Sequence, residues 1–78
     1  MEWISVKTPP KKNGRYLVVT HGYHEIRSYA NNLYKVDDYD FHDKKRAGWY
    51  DYDGEYGYWE DNAVTHWAEL PELPKEEA

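Results

Sequence analysis

The sequence predicts a small antiparallel sheet, α+β or mainly β, of about four to five strands, with room for one short helix. Three observations carry that expectation. Runs of strand length rich in β-branched and aromatic residues, such as "RYLVVTH" and "AVTHWAEL", are bounded by Pro, Gly and Asn. Alternation in "HEIRSYANN" and "WYDYDGEYGYW" has the two-residue period of a pleated strand. The apolar content is mostly rings, nine Tyr, four Trp and one Phe, and each large ring can bury about 150–250 Å². A chain of 78 residues is then expected to fold as one domain over 1–78, close to the lower size limit for a single core.

The elements follow in order. "MEWISVK" alternates apolar and polar residues, so Trp3 or Ile4 enters the core. "TPPKKNGR" is turn chemistry: Pro9 and Pro10 forbid a helix, and Asn13-Gly14 suits the positive φ of a hairpin turn. "RYLVVTH" is continuously apolar and predicts a central strand covered on both faces, with Val18 in the core. His21-Gly22 makes a second turn. The next strand runs antiparallel, with Ile26, Ser28 and Ala30 on one face and Arg27, Tyr29 and Asn31 on the other. Two adjacent asparagines and β-leaning residues weigh against the alternative, a helix over 25–35.

Asp37 to Asp61 has another character. It holds nine of the fifteen acids and eight of the fourteen aromatic residues, interrupted by "KKRAG". Residues 49–61 predict a hairpin with its turn at Asp53-Gly54 or Glu55–Gly57. "AVTHWAEL" is the last strand. In it Trp67 fills the core, while His66 lies on the other face beside Val64 and Ala68. Trp3 and Trp67, from opposite ends, are expected to lie near one another in the core. Pro71 and Pro74 end regular structure, and the acidic residues 75–78 are expected to fray.

The two ends, "WISVKTPPKKNGRYLVV" and "VTHWAELPELPK", resemble the family called domain of unknown function 551. Its pattern opens with Trp, a hydrophobic residue, Ser and Val, then a Pro-containing turn, a Gly and a Val-rich strand. It closes with Val-Thr-His-Trp and a Leu-Pro. Trp3, Ile4, Ser5, Val6, Pro10, Gly14 and Val18 match at the start; Val64, Thr65, His66, Trp67, Leu70, Pro71 and Pro74 match at the end. Ala68 and Leu73 depart from it. The resemblance implies a phage or mobile-element accessory protein in the bacterial cytoplasm and names no activity.

Composition excludes several classes. No cysteine means no disulfide scaffold and no thiolate metal site. A net charge of -5 opposes direct nucleic-acid binding. The start has no apolar leader, and no stretch reaches membrane-spanning length, so a cytoplasmic setting and no membrane partner are expected. His21, His24, His42 and His66 follow no metal-ligand spacing, and "DYDGEYGYWEDN" has Tyr56 and Asn62 where a calcium loop needs Gly and Glu. No serine lies in a nucleophile elbow. The expectation is therefore no catalytic residue, no cofactor and no metal.

What remains is binding. The leading reading is a phage-type accessory or inhibitor protein that engages a host protein, one that itself binds nucleic acid being a natural target. Asp51, Asp53, Glu55, Tyr56, Tyr58, Glu60 and Asp61 are the candidate partner-binding residues, with the acids pointing outwards. His66 is a candidate ligand contact. The alternative is a small-molecule, nucleotide-like binding or sequestering protein using stacked rings, with Lys44 to Arg46 answering a phosphate and a pocket shared between chains of an oligomer. A component of a larger assembly is a third reading.

Overall fold

The computed structural model describes residues 2–36 and 41–70. Among these, six strands form one sheet: β1 (Ile4–Ser5), β2 (Gly14–Thr20), β3 (Tyr23–Ala30), β4 (Gly48–Asp53), β5 (Gly57–Glu60) and β6 (Val64–Ala68). Their order is β1-β6-β2-β3-β4-β5, and every neighbouring pair is antiparallel. The extra strand beyond the expected number is β1, whose two residues pair with the chain's last strand. The helical content is a single 3₁₀ turn, Leu33–Lys35, capped by Asn32, whose side-chain oxygen accepts the Tyr34 N–H. The frayed end expected at 75–78 lies outside the described residues.

The β2–β3 hairpin closes on His21-Gly22, with φ of 51° and 84°. Positive φ at both central residues is the two-residue turn whose twist matches that of the strands. Asn13-Gly14 does not make the expected turn. Gly14 is the first residue of β2, and Asn13 instead accepts the Asn31 N–H at 2.8 Å, tying the start of β2 to the end of β3. On β3 the faces alternate as predicted, because Tyr29 opposes Trp49 while Ser28 opposes Tyr50.

Two clusters of side chains cover the two faces. Tyr16, Val18, Tyr29, Trp49, Val64 and Trp67 fill one, with Ile4 and Val6 against them. Tyr16 meets Trp49 and Trp67 edge-on, at centroid distances of 5.9 and 5.2 Å. Ala30, Leu33 and Phe41 form the other cluster, with Val36, Tyr50 and Tyr58. Tyr29/Ala30 and Trp49/Tyr50 are chain neighbours, so strand alternation sends the two clusters to opposite faces. Gly48 lets Leu33 lie close to the sheet: a Cβ there would sit 2.7 Å from Leu33 Cδ1.

Three expectations need correcting. β2 is interior to the sheet but fully covered on one face alone, since Val18 is buried while Leu17 and Val19 are half-buried. The second cluster lies over the β3–β4–β5 end and does not bury them. Trp3 is only half-buried and tilts against the His24 ring at 5.2 Å. Ile4 pairs with Trp67 and takes the core position, so alternation turns Trp3 to the opposite face. Finally, Val64 does not share a face with His66. The register between β2 and β6 shifts, from Val19 opposite His66 to Thr20 opposite Val64, leaving Thr65 as a β-bulge. The extra residue turns Val64 into the core beside Trp67.

Candidate functional site

The β4–β5 hairpin at one end of the sheet carries most of the residues proposed from sequence. It pairs Asp51 with Trp59 and Tyr52 with Tyr58. Asp53 organises the turn by accepting the N–H groups of Glu55 and Tyr56 at 2.7 and 3.2 Å, and Gly57 closes it with a φ of 86°. Asp53 is thus a turn residue first. Tyr58 packs against Phe41, Tyr50 and Tyr52 and is half-buried. Tyr52, Tyr56 and Trp59 stand 59%, 80% and 39% exposed.

The acids do not all point outwards. Asp61 is 4% exposed. Its Oδ2 accepts from Thr20 Oγ1 at 2.9 Å and from Arg27 Nε at 3.0 Å, and its Oδ1 accepts the Ala63 N–H at 2.8 Å. Burial raises the pKa of this carboxyl, but the Ala63 amide, the Thr20 hydroxyl and the Arg27 guanidinium together outweigh it and hold it below the ordinary value. Glu60 is covered as well: Arg46 grips it with two guanidinium nitrogens and Lys44 lies 3.5 Å away. The Arg46 hydrogen bond, against a smaller opposing effect of burial, keeps Glu60 below its usual range. Asp51 lies 3.4 Å from Arg27 and 3.6 Å from Arg15. Glu55 is the exposed acid of the set with no ion pair among the described residues.

Arg27 is the residue that sequence reasoning missed. It is buried on the core face of β3, bonds Asp61 and Asp51, donates to the Ile26 carbonyl and lies 4.9 Å from the centre of the Trp59 ring. A signal existed, because alternation placed Arg27 on the face of Tyr29, and a buried guanidinium requires carboxylate partners. His66, by contrast, is exposed, with Nδ1 3.0 Å from the Thr65 hydroxyl, and the structure brings it to none of the hairpin residues. Among the described residues no three His, Asp or Glu side chains are grouped to hold a metal ion, and every buried side-chain polar atom has a partner. No helix among them is long and apolar enough to cross a membrane.

The two ends that resemble the 551 family are neighbours in space. Ile4 and Ser5 pair with Trp67 and His66, and Val18 lies opposite Trp67 on the other side of β6. The family described as "Protein of unknown function (DUF551)" matches residues 2–75. The chain belongs to this family. Its shared residues Ile4, Val18, Val64 and Trp67 sit in one cluster, so the family pattern describes how the sheet is held together and leaves the hairpin free to differ. No curated protein and no solved structure matches the chain.

Proposed function

We propose that this protein is a non-enzymatic accessory protein of the phage type that binds a host protein through the β4–β5 hairpin. The observation that carries this reading is the set of exposed rings there, Tyr52, Tyr56 and Trp59, on a hairpin whose outer strand β5 has an unpaired edge. Tyr and Trp are favoured anchors in protein interfaces because they bury large area at low entropic cost while keeping a polar tip. Residues 48–60 hold four acids and no Lys or Arg. Their complement is a basic protein surface, such as the nucleic-acid groove of a host defence protein in the bacterial cytoplasm.

The division of labour differs from a row of free carboxylates. Asp51, Glu60 and Asp61 hold the hairpin in place through Arg27 and Arg46. The rings anchor the partner, and Glu55 with the residual negative field steers it. The test is capture of a host protein, its identification by mass spectrometry, and affinity measurement with the purified partner. A Tyr52→Ser/Tyr56→Ser variant is expected to bind at least about tenfold more weakly with an unchanged melting temperature. The wild-type on-rate should fall as salt rises. Equal affinity of variant and wild type would overturn the proposal.

A further inference from the structure

At the opposite end of the sheet, a groove of about 520 Å³ opens between β1, β6 and the loop that precedes β2. Its floor is apolar: Ile4, Tyr16 and Trp67. The polar tips of both rings are already used. Tyr16 donates its hydroxyl to the Lys12 carbonyl at 2.7 Å, and the Trp67 indole N–H donates to the Thr8 carbonyl at 2.9 Å. These bonds do two things. They leave only hydrocarbon and ring edges facing the groove, and they pin the loop to the sheet at both ends, so the groove is formed in advance. Burial, with help from nearby Glu69 and Tyr29, raises the Tyr16 pKa, and the floor stays neutral in ordinary buffers.

The banks are charged. Lys11 and Lys12 line one side and Glu69 the other. Among the described residues the cations in ion pairs are Arg15, Arg27, Lys44 and Arg46, and neither Lys11 nor Lys12 is among them. This also relocates the cations available to an anionic ligand: Lys44 and Arg46, the group suggested by sequence, are committed to Glu60. Two unpaired ammonium groups in a chain of net charge -5, set beside an apolar floor, are an amphipathic pair of features. The volume lies within the range of about 300–1,000 Å³ usual for small-molecule sites.

We infer that this groove is a binding site for a small aromatic monoanion, its ring on the Tyr16–Trp67 floor and its acidic group at Lys11 and Lys12. The site is independent of the hairpin, which lies at the far end of the strand order. Ring-edge contacts supply the apolar contribution. The ammonium groups decide the sign of charge accepted.

The experiment titrates the full chain with indole-3-acetate and with tryptamine, which share a ring and differ in charge, while following assigned amide and indole N–H resonances. Indole-3-acetate is expected to shift the Trp67 indole and the amides of Thr8, Lys11 and Lys12, with affinity at least about tenfold above that of tryptamine. Lys11 and Lys12 are exposed, so Lys11→Gln/Lys12→Gln should keep the wild-type melting temperature while the preference falls to about twofold or less. Equal affinity for the two probes overturns the inference, as do shifts centred on Trp59 or no shift at Trp67. A Trp67 resonance that moves with protein concentration alone assigns the groove to a second copy of the chain and overturns it too.

Discussion

Arg27 on β3 and Asp61, 34 positions later and just past β5, meet at 3.0 Å in a site where both side chains are almost wholly covered. This ion pair clamps the exit of the β4–β5 hairpin to the centre of the sheet. Thr20 on β2 bonds the same carboxylate, so three strands converge on one acid.

Removing that charge should therefore be costly. Asp61→Asn keeps the size of the side chain and can still accept from Thr20 and Ala63, but it leaves Arg27 with a weaker set of partners. Stripping one member from a buried pair typically costs about 3–5 kcal/mol, a large part of the stability of a small domain. Denaturant unfolding of the variant should show a loss of about 2–3 kcal/mol, since Asp51 still serves Arg27. A loss within experimental error would mean the pair is dispensable.

Acid should weaken the fold through the same groups. Asp61 and Glu60 are held below their ordinary values of 3.8 and 4.5 in the folded chain. A carboxyl depressed on folding contributes stability that is complete above its unfolded pKa and is lost as pH falls through the folded one. Stability is expected to be level from pH 7 to about 5 as far as these two groups are concerned, and to fall below about 4. Measured across that range, an Asp61→Asn/Glu60→Gln variant should show a shallower acid loss than wild type. Parallel curves would assign the acid sensitivity elsewhere.

The two end tryptophans should differ. Trp67 lies in the main cluster and donates to Thr8, so Trp67→Ala should cost about 3–5 kcal/mol and come close to unfolding the domain. Trp3 is half-buried on the other face, and Trp3→Ala should cost about 1–2 kcal/mol in proportion to the smaller area it covers. Thermal melts of the two variants check the contrast. Equal losses would place Trp3 in the core after all.

The hairpin acids should also separate into two kinds. Glu55→Gln is expected to leave stability within about 0.5 kcal/mol of wild type, because the side chain is exposed and unpaired among the described residues. Asp51→Asn should cost about 1 kcal/mol, the upper range for a partly exposed ion pair, through its contact with Arg27. Unfolding midpoints for the two single variants decide the matter, and a reversed order would contradict the assignment of roles.

Residue chemistry over short range determined the strands, the His21-Gly22 turn and the hairpin at 49–61. Alternation needs only a period of two, and a turn needs only residues that tolerate positive φ. The same period placed Trp67 inside and His66 outside. Tertiary structure decided which strands are neighbours: β1 lies beside β6, and β6 beside β2, pairings between opposite ends of the chain that no local pattern encodes. It also decided the bulge at Thr65, which moved Val64 to the core, and the choice of Ile4 over Trp3. The acids show the difference most plainly. Negative charge belongs to the residue and is visible in any sequence, whereas its exposure depends on what packs against it. Arg27 and Arg46, distant in sequence, turn Asp61 and Glu60 from expected surface charge into internal ties.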